Sequence, residues 1–180
     1  MAFDERALVR GPQPAVPEIV PYDDGWPDRF EQHRRRIAVA LGSRAHEVEH
    51  IGSTSVPGLG AKDVVDVLVV LDDPDDEAAY LTDLERAGYE LRVREPGHRA
   101  LRETSGRRVN VHCYAAGDDE ITKYRLLREH LRAHEDARRT YEDAKRALAG
   151  REWPDMNHYA EAKGPTIHRL LREAGWTGAL

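Results

Sequence analysis

The stretch HIGSTSVPGLGAKDVVDVLVV, His50 to Val70, joins two short strand-like segments through a loop rich in glycine and hydroxyl side chains. Its second half, from Val64 onward, is a β-branched apolar run typical of a buried strand. One carboxylate, Asp66, interrupts this run. An unpaired carboxylate in an apolar sheet costs on the order of several kcal/mol. We therefore expect Asp66 to face a polar partner, a metal or a ligand.

A second segment, VNVHCYA from Val109 to Ala115, alternates apolar and polar residues. Because side chains two residues apart share one face of a strand, Asn110 and His112 belong to its polar face. If this strand neighbours the strand of Asp66, then Asp66 and His112 converge on one cleft. The alternative is that Asp66 is a structural residue, held by backbone amides or by Lys62, and that His112 is an ordinary half-exposed histidine.

The loop before the Asp66 strand has the composition of a phosphate-binding loop. Gly52 allows backbone amides to approach an anion, Ser53, Thr54 and Ser55 add hydroxyl donors, and Lys62 adds a positive charge. It is not a Walker A loop, in which the lysine directly follows a glycine and precedes Ser or Thr. A tight turn alone would account for the glycines but not for three consecutive hydroxyl residues.

Hydrophobic periodicity predicts the order of the secondary-structure elements. Residues 27–42, opened by a proline and closed by a glycine, are predicted to be a helix, and residues 74–88 a second one. Three strands are predicted within residues 89–115, followed by helices over 118–148 and 157–175. This order is typical of an α+β domain with one mixed sheet, helices packed on one face and helices at the C-terminal end. The other face would be free to form a cleft.

Composition indicates which compartment and which classes of partner to expect. The 180 residues carry a net charge of -6, which gives no long-range attraction for nucleic acid. Cys113 is the single cysteine, so neither a disulfide framework nor a cysteine-based zinc site is expected. No apolar run is long enough to span a membrane. We expect a cytoplasmic protein without nucleic-acid or membrane partners, and the oligomeric state stays open.

The proline pattern predicts where the folded domain begins. Residues 1–17 mix charges with Pro12, Pro14 and Pro17, which disfavours regular structure. We interpret residues 1–17 as a flexible N-terminal arm and residues 18–180 as a single domain.

The first segment closely resembles the signature of the GrpB family, a group within the nucleotidyltransferase superfamily. The resemblance continues through NVHCY, LLREHLRAHEDARRTYEDAKRALA and YAEAKGPTIHRLL and covers most of the chain from about Glu18. It implies a nucleotidyltransferase-like fold, in which a glycine and a serine bind nucleotide phosphates and strand aspartates hold divalent metal. Gly52 and Ser53 match the first element, and Asp66 matches one of the aspartates.

The chain departs from the superfamily pattern at the other carboxylates. The position two residues before Asp66 is Val64, while Asp63 should point to the opposite face. The third carboxylate is expected on a later strand, where this sequence has Asn110 and His112. Asp66 and His112 are thus the candidate metal ligands. Magnesium is the expected ion, since it often needs only one or two protein carboxylates, with manganese or zinc as alternatives.

The helical half contributes cations, most of which alternate with acids and are predicted to form solvated ion pairs. At the GrpB-like positions, Arg128, Lys145 and Lys163 are the candidates for the cleft. Arg99, on the strand opened by GHRAL, is a further candidate. We expect these four side chains to bind nucleotide or phosphate.

Two functions remain open at this stage. The first is a nucleotidyltransferase-like enzyme that binds ATP or another nucleoside triphosphate with divalent metal and transfers a nucleotidyl or phosphoryl group to a small-molecule acceptor; ATP-dependent ligation is a neighbouring reaction. Lys62 and Arg128 would neutralise developing charge, and His112 would be a metal ligand or a general base. The second is a catalytically degenerate module that binds a nucleotide or phosphorylated metabolite. The resemblance implies occasional fusion to dephospho-coenzyme A kinase, and hence an accessory role in coenzyme A metabolism.

Overall fold

A five-stranded mixed sheet forms the centre of the computed structural model, which describes residues 4–106 and 108–180. The strands are β1 (Glu47–Ile51), β2 (Val65–Leu71), β3 (Tyr89–Glu95), β4 (His98–Glu103) and β5 (Val109–Ala115). Their spatial order is β1-β2-β5-β4-β3, with β2 and β5 parallel and the other pairs antiparallel. The two strands that carry Asp66 and His112 are therefore direct neighbours at the middle of the sheet.

The described residues form six α-helices in addition to the sheet. They are α1 (Trp26–Leu41), α2 (Leu81–Arg86), α3 (Asp119–Ala133), α4 (Glu135–Leu148), α5 (Met156–Ala162) and α6 (Gly164–Glu173). Helix α1 has a proline in its first turn and ends at Gly42, whose φ of 58° an L-residue side chain would disfavour. Helix α2 is shorter than predicted, because Glu77–Ala79 forms a separate 3-10 turn. None of the helices in these ranges is long and apolar enough to cross a membrane.

One face of the sheet packs on α1 and α2. The odd-numbered residues of β2, from Val65 to Leu71, join the largest core cluster with Ile37 of α1, Leu84 of α2 and Cys113 of β5. All of these side chains are at most 3% exposed. The period-2 alternation of β2 thus places its valines against helices, and the predicted α+β fold with helices on one face is confirmed.

The opposite face is covered only in part. Ile51, Leu68 and Val70 pack with Ile121 of α3 near one edge of the sheet. Tyr114 of β5 joins the same cluster, and a cavity separates the rest of this face from helices α3 to α6. A separate apolar cluster, centred on Leu59, Leu131, Tyr141 and Leu170, joins the glycine-rich loop to these helices. The C-terminal helices therefore form the second wall of a cleft whose floor is the sheet.

The described part of the N-terminal arm, residues 4–17, makes specific backbone contacts. Leu8 forms a bridge with Val93 of β3, and Ala15 forms one with Trp153. The backbone N–H of Gln13 donates to Asp155 Oδ2 at 2.9 Å. The prolines prevent a continuous strand, as expected, yet the segment packs along the sheet edge and the start of α5. The first three residues of the predicted arm lie outside the described residues.

Candidate functional site

A cavity of about 400 Å³ lies between the open face of the sheet and helices α3 to α6. This volume is within the range of about 300–1,000 Å³ that is common for small-molecule sites. Its lining includes Gly52, Ser53 and Asp66 on one side and Tyr159 of α5 opposite. The loop, the central strands and the C-terminal helices, which are far apart in sequence, thus meet at one place.

Asp66 lies at the centre of the cavity floor, opposite Asn110 in the parallel register of β2 and β5. Asn110 Nδ2 donates to Asp66 Oδ1 at 2.9 Å, and His112 Nε2 is 3.7 Å from the same oxygen. Burial raises the pKa of Asp66, but His112, the charge of Lys62 and the Asn110 hydrogen bond together hold it below its usual value. The prediction that Asp66 and His112 converge is confirmed, and the carboxylate is ionised at neutral pH.

Gly52 is fixed as glycine by this carboxylate. Its φ is 70° and its ψ is -171°, a backbone conformation essentially restricted to glycine. A Cβ at this position would lie 2.6 Å from Asp66 Oδ2. The loop therefore passes directly over the aspartate, so that Ser53 follows at the edge of the cavity.

A hydrogen-bond chain runs behind His112. The ionised Glu95 accepts a hydrogen bond from His98 Nδ1 at 2.9 Å, which leaves His98 Nε2 as the acceptor for His112 Nδ1 at 3.2 Å. Burial lowers the pKa of His98 and keeps its ring neutral, as this arrangement requires. These partners assign the His112 proton to Nδ1. The Nε2 atom, which lies 3.7 Å from Asp66 Oδ1, is then the unprotonated nitrogen of this tautomer.

All four lysines of the chain line this cavity, whereas the exposed ion pairs on the rest of the surface use arginine and histidine. They are Lys62, Lys123, Lys145 and Lys163. Burial, followed by the charge of Lys163, lowers the pKa of Lys62 to about 8 and that of Lys145 to about 7. Burial also lowers the pKa of Lys163, opposed by Asp66. The cavity thus concentrates positive charge that is incompletely compensated by protein acids.

Tyr159 lies between two of these lysines. Lys62 Nζ is 5.3 Å and Lys163 Nζ is 5.1 Å from the centre of its ring, distances at which a cation interacts with an aromatic face. The Tyr159 hydroxyl is buried and has no hydrogen-bond partner among the described residues. Lys145 is more firmly held, since its ammonium group donates to the carbonyl of Gly60. Lys62 and Lys163 are therefore the lysines free to meet a ligand.

Only part of the hydroxyl run reaches the cavity. Ser53 lines it, but Thr54 is hydrogen-bonded to His50 Nε2 at 2.9 Å, and Ser55 Oγ donates to the carbonyl of Gly52 at 2.6 Å. The hydroxyls of Thr54 and Ser55 are thus held within the loop, and the binding of phosphate by these two residues stays a prediction. His50 stacks on Phe30, and burial lowers its pKa to about 4, so it is a neutral structural residue outside the cavity lining.

The two candidate arginines differ in position. Arg128 lines the cavity, where its guanidinium group donates to Glu49 and to the carbonyl of His50 and so anchors α3 to β1. Arg99 lies on the opposite face of the sheet, where it donates to Glu77 at 2.5 Å and to Asp75 at 2.8 Å. The placement of Arg99 in the cleft is thereby corrected, because its parity along β4 directs it away.

The acidic and imidazole groups fit only a lightly coordinated metal. The described ranges contain no group of three or more His, Cys, Asp or Glu residues arranged to hold an ion. Val64 lines the cavity where a paired carboxylate would be expected, and Asp63 turns away to Arg29 and Arg108. This set does not fit a two-metal site. One magnesium ion fits when Asp66 supplies a carboxylate oxygen and the remaining ligands come from phosphates and water.

Several cavity residues escaped the reading of the sequence. They are Arg92, Arg102 and Asp155, together with His98 behind the lining and Lys123, which the charge pattern assigns to a solvated helix face. The scarcity of lysine could have indicated the position of Lys123, because the chain has many arginines and lysine at only four positions. Asp155 is recognisable only in the structure, where it caps α5 by accepting the Asn157 N–H at 3.0 Å.

Known proteins are similar to this chain over most of its length. The family model described as GrpB protein matches residues 16–173. The UPF0157 protein SCO7215 of Streptomyces coelicolor is 49% identical over 168 residues, covering 93% of this chain and 89% of that protein. The crystal structure of GrpB from Enterococcus faecalis superposes with a TM-score of 0.75 at 29% identity, covering 87% of this chain and 96% of that one.

More distant matches define the fold. The Cid1 poly (U) polymerase with MgGTP bound superposes with a TM-score of 0.50 at 15% identity, covering 69% of this chain and 42% of that one. The fold is thus nucleotidyltransferase-like. A dephospho-CoA kinase of Mycolicibacterium paratuberculosis is 28% identical over 197 residues, and the match spans 94% of this chain but 47% of that protein. The family match and the close relatives agree: this chain belongs to the GrpB family.

Proposed function

We propose that this protein binds a nucleoside triphosphate in the cavity and transfers a nucleotidyl or phosphoryl group to a small-molecule acceptor. The observation that carries the proposal is the convergence of all four lysines on one cavity of an otherwise acidic chain. Lysines whose pKa is lowered by burial gain most from a polyanion, because its phosphates restore the charged form. ATP is the first nucleotide to test.

The polyphosphate would lie between the loop and α5. Ser53 and the backbone at Gly52 face it from the loop, and Lys62 and Lys163 face it across Tyr159. The unpartnered Tyr159 hydroxyl would then gain a phosphate oxygen as acceptor. These groups would stabilise the negative charge on the leaving phosphates, which is the largest contribution a site of this kind makes.

His112 and Asp66 would act on the other side of the reacting phosphorus. His112 Nε2 would accept the proton of the acceptor hydroxyl or amine while its oxygen or nitrogen bonds to phosphorus. The bond from phosphorus to the leaving oxygen breaks, releasing pyrophosphate in nucleotidyl transfer or the nucleoside diphosphate in phosphoryl transfer. Asp66, with His112 beside it, would hold a magnesium ion, which would add charge neutralisation when bound. Manganese and zinc are weaker candidates for this oxygen-rich site.

A small acceptor suits the enclosed cavity better than a nucleic acid does. The cations lie inside a volume of about 400 Å³ rather than along an exposed surface track. If the acceptor group were a carboxylate, the same transfer would activate it, and this activation is the first half of an ATP-dependent ligation. Random RNA or DNA at physiological salt should bind far more weakly than ATP.

Calorimetric titration of ATP, with and without magnesium, tests the proposal. Lys163→Met should weaken ATP binding about tenfold or more, because a hydrogen bond to a charged group contributes about 1.5–3 kcal/mol. Arg139→Met is the matched control, since it removes one cation from an exposed ion pair on α4. Equal ATP affinity in wild type and Lys163→Met would contradict binding at these lysines. Nucleotide consumption with a panel of hydroxyl, amine and carboxylate acceptors then tests transfer.

A second function is favoured by the single carboxylate on the cavity floor. With Val64 in place of a paired acid, the chain would bind a nucleotide or phosphorylated metabolite without turnover. The similarity to a dephospho-CoA kinase makes dephospho-coenzyme A the natural probe for an accessory role in coenzyme A metabolism. Tight binding of dephospho-coenzyme A, weakened by Lys163→Met and accompanied by no nucleotide consumption, would favour this alternative over catalysis.

A further inference from the structure

The far end of the cavity contains a buried arginine that the polyphosphate site does not use. Arg92 lies at an irregularity of β3, where the register with β4 shifts between Leu91 and Val93. Leu91 belongs to the core beneath α1 and α2, while Val93 packs with Ala100 on the cavity side. A β-bulge of this kind re-aims side chains. Here it brings both Arg92 and Val93 to the cavity lining.

Arg92 is buried, and two of its three guanidinium nitrogens have no hydrogen-bond partner among the described residues. The residue is 4% exposed, and the two nitrogens are Nε and Nη1. Arg99 is the informative contrast: it is 6% exposed, and its guanidinium group donates to two carboxylates. A buried charge is retained in a fold only where something compensates it. Among the described residues no group compensates Arg92 at Nε and Nη1, and a ligand in the cavity that Arg92 lines would supply one.

We propose that Arg92 binds the anionic end of the acceptor, a carboxylate or another oxyanion. The planar guanidinium fork matches the two oxygens of a carboxylate better than an ammonium group does. This inference rests on the proposed function and adds the substrate class. The acceptor is a small acid that carries its anionic group at one end and its nucleophilic group at the other.

The sheet sets the length of that acceptor. Arg92 on β3 and Asp66 on β2 are separated across the sheet by three inter-strand spacings, a lateral distance of about 14 Å at the backbone. Both side chains extend into the cavity, and the Arg92 side chain is long enough to shorten the gap considerably. An acceptor whose acidic group and nucleophile are separated by only a few bonds would bridge the remaining distance to His112. The lysines near the loop would stay with the phosphates.

The test uses the full chain, with succinate and inorganic phosphate as probes and neutral succinamide as the uncharged analogue. Binding is measured by calorimetry and by the shift in Tm, each with and without saturating ATP. The variant is Arg92→Met, which keeps an apolar stem of similar length. Arg94→Met is the matched control, since Arg94 lies on the same strand in an exposed ion pair with Glu77.

Succinate, phosphate or both should raise the Tm of wild type and of Arg94→Met, while succinamide should not. Arg92→Met should lose at least tenfold in affinity for the responding anion, and its Tm without ligand should equal or exceed that of wild type. A lowered ligand-free Tm with unchanged anion affinity would instead assign Arg92 a purely structural role and overturn the proposal. Loss of anion binding on saturation with ATP would place the anion among the lysines and also overturn it.

The two proposals fail in different ways. If ATP binds normally to Arg92→Met and no anion binds to wild type, the nucleotide site stands and the acceptor subsite does not. If ATP fails to bind to wild type, the proposed function fails, whereas an Arg92-dependent succinate or phosphate response would still establish an anion site. Which of the two probes responds distinguishes a carboxylate acceptor from a phosphorylated one.

Discussion

Replacing Asp66 with asparagine should tighten ATP binding in the absence of divalent metal and remove any effect of magnesium. The wild-type carboxylate is ionised and lies on the cavity floor beside the proposed phosphate site. Without a metal it repels the phosphates, whereas with magnesium it becomes a ligand. Asparagine preserves the shape and the oxygen that accepts from Asn110, but it has no charge.

The position of the loop sets the magnitude of this repulsion. A Cβ at Gly52 would lie 2.6 Å from Asp66 Oδ2, so a phosphate bound at Gly52 and Ser53 would lie within about 8 Å of the carboxylate. Two unit charges at about 8 Å with an effective dielectric constant of about 20 repel by about 2 kcal/mol, and solvent in the cavity reduces this to about 1–2 kcal/mol. Metal-free ATP affinity should therefore rise about tenfold in Asp66→Asn.

Stability must be measured on the same variant. The Asn110 hydrogen bond changes from a charged to a neutral acceptor, which should lower the free energy of unfolding by about 1 kcal/mol in urea titrations. Asp63→Asn is the control, because Asp63 is also paired with cations but faces the other side of the sheet. It should leave ATP affinity unchanged at any magnesium concentration. If Asp66→Asn binds metal-free ATP no better than wild type and keeps its response to magnesium, the electrostatic argument for Asp66 is refuted.

Three further predictions follow from the lysines, the loop and the histidine pair. Burial lowers the pKa of Lys62 to about 8 and that of Lys145 to about 7, so both side chains are partly neutral at pH 8 and ATP binding should take up protons. Calorimetry in two buffers of different ionisation enthalpy measures this uptake, and proton release would contradict it. Gly52→Ala should lower the free energy of unfolding by about 1–3 kcal/mol through backbone strain, and it should displace Asp66 and weaken magnesium-dependent ATP binding. The control is Gly58→Ala, where φ is 78° and no atom lies within 4 Å of the added Cβ. It should lower the free energy of unfolding in urea and leave ATP binding unchanged. His98→Gln should change the tautomer of His112, seen as altered imidazole 15N chemical shifts; an unchanged spectrum would show that His98 does not position His112.

The centre of the site follows from period-2 patterns in the sequence. The alternation in β2 and β5 places Asp66 and His112 on the faces they occupy, and parallel pairing of the two strands brings them together. The same alternation could not assign Arg99. Its face depends on the register of β4 within the sheet, and the neighbouring residues Ala100 and Arg102 took the cavity side instead.

Other features depend on tertiary contacts that leave no local signal. The bulge at Arg92 breaks the alternation of β3, so a regular strand pattern cannot reveal that Arg92 and Val93 both face the cavity. The hydroxyls of Thr54 and Ser55 look equivalent to that of Ser53 in sequence, yet the 3-10 turn over Ser53–Ser55 directs only the first to the cavity. The docking of residues 4–17 likewise depends on partners distant in sequence, including Trp153 and Asp155.

The parallel pairing of β2 with β5 also has a consequence for the order of folding. The β1–β2 pair and the β3–β4–β5 meander each join strands that follow one another in sequence, so each can form early. The parallel docking of β5 on β2 joins these two units, and only this step closes the 44-residue separation between Asp66 and Asn110. The floor of the cavity is therefore assembled in the last stage of sheet formation. A folding intermediate that has both early units would have near-complete strand content and no binding site.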